Sequence, residues 1–184
     1  MKSISVTVEG EAEGYEPPLC WRGEVAPDGM TRLVVSAPDG KLRELALALA
    51  EGLSSPVSVR WVQMVDRRKE LQHSKPKSFV AVEKPRSQVL AAMRRCSTLL
   101  FDDGRGQLWL RGKFREQILL DELGMIWIYP DDPSFRDILE GLGVPEDDQA
   151  VTMGERDYVK VLFEARADGE EELLIRTLGL APQG

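Results

Sequence analysis

Residues 107–130 read QLWLRGKFREQILLDELGMIWIYP and contain several strand patterns with little sign of a helix. Three short β-rich runs, at 107–111, 117–120 and 125–129, follow one another with only short polar segments between them. Successive strands without helices between them disfavour a fully parallel, doubly wound sheet. The stretch therefore predicts an α+β fold, in which a mixed, largely antiparallel sheet carries helices on one face.

Further strand patterns lie on both sides of this stretch. Alternating or β-rich runs predict strands at Ile4 to Val8, 31–35, 57–61, 78–82, 98–101 and 158–163. Apolar spacing and end signals predict about four short amphipathic helices, at about 39–51, 85–96, 133–142 and 169–178. Asp39, Asp132 and Asp168 are the expected N-caps of three of these helices.

Four strand–helix units begin at residues 34, 80, 126 and 161, which raises the alternative of divergent strand–helix repeats. Because any chain that mixes strands and helices produces such units, we interpret the likeness as architectural. The 184 residues, 42% hydrophobic and 30% charged, fit a single domain spanning 1–184. A division into two lobes, 1–72 and 76–184, is the alternative, with the polar loop at 71–78 as its hinge.

Charge is distributed unevenly along the chain, whose net charge is −7. Residues 60–115 carry 14 Lys and Arg against 5 Asp and Glu, whereas residues 116–184 carry 5 against 17. Folding can interleave these segments into a mixed surface, or it can leave a basic face beside an acidic one. A basic face would favour a partner of opposite charge.

The basic band at 60–115 is the strongest surface signal in the sequence. Its candidate residues for binding nucleic acid or another partner are Arg67, Arg68, Lys69, Lys75, Lys77, Arg94 and Arg95. On one face these cations could neutralise phosphates, and Trp61 and Phe79 could stack on bases. The sequence favours both aromatic residues as core residues of their strands, and the overall acidity disfavours a dedicated nucleic-acid-binding protein.

The segment DDGRG at 102–106 lies between two apolar runs and has two interpretations. It could be a catalytic or metal-binding loop, because it holds two carboxylates and an arginine. The Asp103-Gly104 pair is a typical hairpin signal, however, and Gly106 allows a longer or bulged loop. The sequence therefore favours a hairpin between strands 98–101 and 107–111.

The chain is poor in recognisable catalytic, metal and cofactor motifs. His73 is the single histidine, and it lies in a polar loop without a nucleophile elbow nearby. Cys20 and Cys96 form no metal-binding spacing with it, and both fit buried thiols. No GxGxxG or GxxxxGK[ST] fingerprint is present, so we expect no cofactor and no metal. Clustered carboxylates leave a carboxylate-dependent hydrolase as one alternative.

These observations predict a non-enzymatic binding or regulatory protein that acts through protein–protein contacts, adaptor-like or immunity-like. Nucleic-acid binding through the band at 60–115 and a carboxylate-dependent hydrolase are the alternatives. The N-terminal segment MKSISVTVEG has no long apolar run, and no window is apolar enough to span a membrane. With only two cysteines, this pattern predicts a cytoplasmic protein without membrane partners.

Overall fold

The computed structural model describes residues 2, 4–5, 14–66, 75–159 and 163–183. These residues form ten strands: β1 Ile4–Ser5, β2 Cys20–Val25, β3 Thr31–Ser36, β4 Val57–Gln63, β5 Lys77–Lys84, β6 Gly106–Arg111, β7 Gln117–Leu120, β8 Ile126–Tyr129, β9 Tyr158–Val159 and β10 Ala181–Gln183. The α-helices of the same residues are α1 Asp39–Gly52, α2 Arg86–Arg95, α3 Ser97–Phe101, α4 Pro133–Gly141 and α5 Ala167–Leu178.

Eight of the strands form one sheet in the order β10-β5-β4-β6-β7-β8-β3-β2, and every neighbouring pair is antiparallel. β1 and β9 form a separate antiparallel pair. The expected α+β fold with an antiparallel sheet is thus confirmed. Strands from both sides of the predicted hinge pair within the large sheet. Residues 71–74 of the hinge lie outside the described residues, and the two-lobe division stays a prediction.

The helices cover one face of the sheet, which we call the helix-covered face. Alternate residues of the central strands point to this face and form the core, including Val59, Trp61, Leu108, Leu110, Ile118, Ile128 and Leu33. The apolar sides of α1, α2 and α5 pack on them through residues such as Leu45, Leu49, Met93 and Leu174. Burial of these side chains at about 25 cal/mol per Å² drives the two layers together.

The remaining alternate residues of the strands form what we call the second face. Its β3–β8 part is covered, because Met153 and Tyr15 pack with Val34 and Trp127. Tyr15 is tied to this cover by its hydroxyl, which donates to the Val151 carbonyl at 2.8 Å. The β5-β4-β6 part of the second face has no such cover from the described residues, and the groove described below lies there.

Several local predictions need correction. Residues 98–101 were expected as a strand and form helix α3 instead, with all four side chains buried. A run of four apolar or small residues fits a buried helix turn as well as a strand, so its periodicity could not decide between them. Strand β2 was not predicted, because polar residues and Gly23 interrupt its apolar pattern.

Helix ends follow the sequence more closely. Asp132 accepts from the Ser134 backbone N–H at 2.8 Å and caps α4 as expected. Asp39 is not the N-cap of α1. The helix begins at Asp39 itself, and Pro38 occupies the N-cap position. Asp168 lies inside the first turn of α5. Its carboxylate is used in an ion pair with Arg105 rather than as a cap.

Candidate ligand-binding groove

A groove of about 560 Å³ lies on the second face where β5, β4 and β6 meet. Its floor and walls come from three adjacent strands and from the turn between β6 and β7. The residues that line it include Ser58, Arg60, Val80, Val82, Glu83, Trp109, Arg111, Lys113, Arg115 and Gln183. Concave sites of this size with a mixed apolar and polar lining are typical of binding sites.

On the floor of the groove, Trp109 neighbours two arginines. Arg60 of β4 is the cross-strand partner of Trp109, and Arg111 lies two residues further along β6 on the same face. Paired positions on one face of an antiparallel sheet bring side chains into direct contact range. Arg60 is oriented by donating from Nε to the Ser78 hydroxyl at 2.8 Å. Trp109 donates from its indole Nε1 to Gln107 at 3.2 Å.

One wall of the groove is the turn 112–116, which presents an aromatic ring between two cations. Phe114 at the tip is 78% exposed, with Lys113 and Arg115 exposed on either side. The base of the turn is fixed, because Glu116 accepts from the Ser54 backbone N–H at 2.6 Å. A Cβ at Gly112 would lie 2.1 Å from this same carboxylate, so only glycine lets the turn close over Glu116.

Two residues of the groove wall have strained backbones. Glu83 has φ +53° and Arg115 has φ +77°, in the left-handed region that favours glycine. Among the described residues these are the non-glycine positions with positive φ, and both line the groove. Such a conformation costs about 1–2 kcal/mol for a residue other than glycine. Strained residues cluster at functional sites, so their position singles out this groove.

The groove carries a strong positive charge. Arg60, Arg111, Lys113 and Arg115 line it, against the single carboxylate of Glu83. The ion pairs found in the described part of the chain use other arginines and lysines, and none neutralises these four cations. An exposed apolar side chain, Val82 at 65%, lies beside them. This combination suits an anionic ligand with some apolar surface.

Four of the seven residues predicted from the basic band are described, and none of these four lines the groove. Arg94 and Arg95 are exposed on α2, on the opposite side of the sheet from the groove. Lys75 is exposed near the start of β5, and Lys77 in β5 pairs with Asp66 at 3.3 Å. Arg67, Arg68 and Lys69 lie outside the described residues. Whether any of them binds a ligand stays a prediction.

Other members of the same band form the groove, and the sequence reasoning did not name them. Arg60, Arg111, Lys113 and Arg115 all fall within 60–115. The sequence signal that points to this site is the alternation of side chains between the two faces in 107–111, which puts Trp109 on the face opposite Leu108 and Leu110. Trp61 and Phe79 face the core side, as the sequence favoured, and Trp61 is 1% exposed.

Two residues of the segment DDGRG, Asp103 and Arg105, belong to a buried ion network. The predicted hairpin is wrong, because helix α3 and not a strand precedes the segment. Arg105 is 1% exposed, and its Nε and Nη2 donate to the two oxygens of Asp103, both at 2.8 Å. Its Nη1 donates to Asp168 at 2.6 Å. Burial alone would lower the pKa of Arg105, but the hydrogen bonds that it donates to Asp103 and Asp168 raise this pKa above its ordinary value. The network joins the β6 start to α5.

Glu171 extends this network into the core under β4. Its two oxygens accept from the Trp61 indole at 2.8 Å and from the Gln63 amide at 2.9 Å. The Asp103 carboxylate also accepts from the backbone N–H groups of Arg105 and Glu164. These carboxylates are occupied by contacts within the fold, so their role here is structural.

Lys2 and Asp121 form a second buried polar site beside the β7–β8 turn. The Lys2 amine is 2.5 Å from the Asp121 carbonyl oxygen, and burial lowers its pKa to about 8. The Asp121 carboxylate accepts from the Trp127 indole at 2.8 Å and from the Leu123 and Met125 backbone N–H groups, both at 2.9 Å. Burial nevertheless raises the pKa of Asp121, and its contacts hold the turn.

A smaller acidic cleft of about 300 Å³ lies at the β2 edge, lined by Glu24, Asp131, Glu146 and Asp148 with Arg136. Its carboxylates come from separate elements, as a hydrolase would need. Arg136 donates to both oxygens of Asp131, at 2.8 and 2.5 Å, and Arg32 donates to Glu24 at 2.7 Å. Arg136 also pairs with Glu146 at 3.9 Å, so three of the four acids are held by arginines. The hydrolase alternative stays a prediction.

The remaining candidates that the structure describes show no site chemistry. Both cysteines are buried, and burial raises the pKa of the Cys20 thiol above its ordinary value. Burial also raises the pKa of the Cys96 thiol, to about 11. In the part of the chain that the structure describes, no three His, Cys, Asp or Glu side chains are placed to hold a metal ion. His73 lies outside that part.

Comparison with protein-family models, curated proteins and solved structures finds no match to this chain. Among the described residues, no helix has the length and apolar character needed to cross a membrane. The chemistry of the groove is therefore the basis for a functional proposal.

Proposed function

We propose that this chain is a non-enzymatic binding protein, adaptor-like or regulatory, that engages another protein through the groove on its second face. The observation that carries the proposal is a groove lined by Trp109 and four cations, none of which forms an ion pair with a described residue. Val82 lies in the groove and Phe114 at the tip of the adjoining turn, and both side chains are exposed. Aromatic residues and arginine are the side chains enriched at protein interfaces. The fixed turn 112–116 presents its part of this surface with little ordering cost.

The strained backbones at Glu83 and Arg115 support the same proposal. Glycine would remove the cost of positive φ at position 115, yet an arginine stands there and adds a cation to the groove. Stability alone does not favour that choice, whereas recognition of an anionic surface does. The two free, buried cysteines are compatible with a reducing compartment, and we place the protein in the cytoplasm as part of the proposal.

A photo-crosslinking experiment in the native host tests this function. A photoreactive phenylalanine at position 114 is expected to capture a discrete partner protein. Charge reversal with Arg60→Glu and Arg111→Glu should abolish the crosslink, because both cations lie in the groove. The matched control, Arg94→Glu with Arg95→Glu on α2, should retain it. A crosslink that survives the groove variant but is lost in the control would refute the groove as the docking surface.

Binding of single-stranded nucleic acid is the second candidate function. The specific observation in its favour is Trp109 flanked by Arg60 and Arg111 on an uncovered sheet surface. Aromatic rings that stack on bases and cations that follow the phosphates are the usual elements of such sites. Steep loss of affinity with rising salt for an oligonucleotide, and no protein crosslink from position 114, would favour this candidate.

A further inference from the structure

The two arginines of the groove floor are placed diagonally across neighbouring strands. Arg60 pairs with Trp109, whereas Arg111 pairs with Ser58, so the two guanidinium-bearing positions are separated by one diagonal step. Diagonal neighbours on one face of an antiparallel pair are about 7–8 Å apart. Trp109 neighbours both positions, because it lies directly across from Arg60 and two residues before Arg111 on the same face.

An extended peptide presents its side chains at a matching interval. Each residue of a strand advances about 3.2–3.4 Å, and residues i and i+2 point to the same side. Two acidic residues at i and i+2 are therefore about 7 Å apart and can each reach one arginine. Guanidinium groups bind carboxylates through paired hydrogen bonds, which makes this pairing specific as well as strong.

The apolar parts of the groove suit a peptide chain that lies across them. Val80, Val82 and Trp109 line the groove between the cations and can contact the peptide backbone and small side chains. At the wall, Lys113 and Arg115 can pair with further acidic residues, and Phe114 can pack on an apolar residue that flanks them. The site thus combines charge complementarity with apolar contact.

The charge of the rest of the chain favours a short acidic segment over a nucleic acid. The protein has a net charge of −7, so the positive groove is a local feature of an acidic molecule. At physiological salt the Debye length is about 8 Å, and a short segment therefore senses chiefly the groove. A nucleic acid carries regularly spaced charges beyond the groove, on a molecule whose overall charge repels them.

We propose that the groove binds an extended acidic segment of the partner protein, with carboxylates at i and i+2 paired to Arg60 and Arg111. The proposal rests on the protein-binding function proposed above and adds the chemical class of the bound segment. It also predicts the order of its residues, because acidic side chains must alternate with residues that face away from the sheet.

Fluorescence anisotropy with labelled synthetic probes tests the proposal on the full chain. The probes are a peptide with alternating aspartate and valine, a peptide of the same composition with its aspartates in one block beside a block of valines, and an oligo-dT strand. We expect the alternating peptide to bind at least about tenfold more tightly than the block peptide. The double variant Arg60→Gln with Arg111→Gln should weaken its binding by about tenfold or more, and Arg94→Gln with Arg95→Gln should not.

Three results would overturn the proposal: equal affinity for the two peptides, tighter binding of oligo-dT than of either peptide, or unchanged affinity in the groove variant. Both arginines are exposed on the sheet surface, so their glutamine variants should fold, and circular dichroism checks this. A crosslinked partner that depends on Arg60 and Arg111, combined with no binding of the acidic peptides, would leave the protein-binding function standing and remove only the acidic segment. If neither a crosslink that depends on these arginines nor binding of the acidic peptides is found, the protein-binding function and the acidic segment are both refuted.

Discussion

Replacement of Arg105 by methionine tests whether the buried ion network holds helix α5 to the sheet. Arg105 donates to Asp103 and Asp168 from a position that is 1% exposed. Methionine keeps an unbranched apolar side chain of similar reach but leaves these carboxylates without their cation. Breaking a buried ion pair from one side costs about 3–5 kcal/mol. Because the Asp168 side chain is 22% exposed, we expect the lower end of this range, about 3 kcal/mol.

The free energy of unfolding, measured by urea denaturation with far-ultraviolet circular dichroism, gives this cost directly. Arg95→Met is the matched control, because Arg95 is exposed on α2 and its loss should change stability by no more than about 0.5 kcal/mol. If Arg105→Met does not fold, Arg105→Lys keeps the charge without the two-pronged contact to Asp103 and should lose about 1–3 kcal/mol. A loss below about 1 kcal/mol in Arg105→Met would refute the network as a stabilising element.

Three further outcomes follow from the described contacts. Burial lowers the pKa of Lys2 from 10.5 to about 8. Between these pH values the unfolded chain keeps a proton that the folded chain has released, so the contribution of Lys2 to the free energy of unfolding rises with pH. The stability of the wild type relative to Lys2→Met, measured by urea titration, should therefore rise by about 3 kcal/mol from about pH 7 to about pH 10.5, and a difference that does not change with pH would contradict burial of the amine. A thiol reagent at about pH 8 should react slowly with Cys20 and Cys96 in the native protein, because burial raises the pKa of both thiols, and fast with both in guanidinium. Rapid reaction of the native protein would contradict the burial of these thiols. Arg115→Gly relieves a positive φ and should raise the free energy of unfolding by up to about 1 kcal/mol while it weakens binding of the alternating acidic peptide, and a destabilised variant would show that the turn does not have this backbone.

The fold class was predictable because its main signal is local. Residues 107–130 contain β6, β7 and β8 in immediate succession, and each strand shows its own apolar pattern. The cap of α4 by Asp132 and the end of α5 at Gly179 are likewise set by neighbouring residues. Helix α3 was missed because four buried side chains in a row carry no periodicity that separates a helix turn from a strand.

The groove was not predictable to the same extent, because it depends on strand pairing. Alternation in β6 indicates that Trp109 and Arg111 share a face, but only the pairing of β4 with β6 brings Arg60 beside them. Those strands are separated in sequence by β5, α2 and α3. The ion network has the same origin, since Arg105 meets Asp168 only when α5 packs against the sheet.

The most direct test of groove binding is a nuclear magnetic resonance titration of the isotopically labelled protein with the alternating acidic peptide. We expect the largest shift changes at the Trp109 indole N–H, the Arg60 and Arg111 backbone amides and the turn 112–116. The indole N–H groups of Trp21 and Trp61, both 1% exposed under the helices, should stay unchanged and serve as internal controls. Shift changes confined to α2 around Arg94 and Arg95, or none at saturating peptide, would contradict the account.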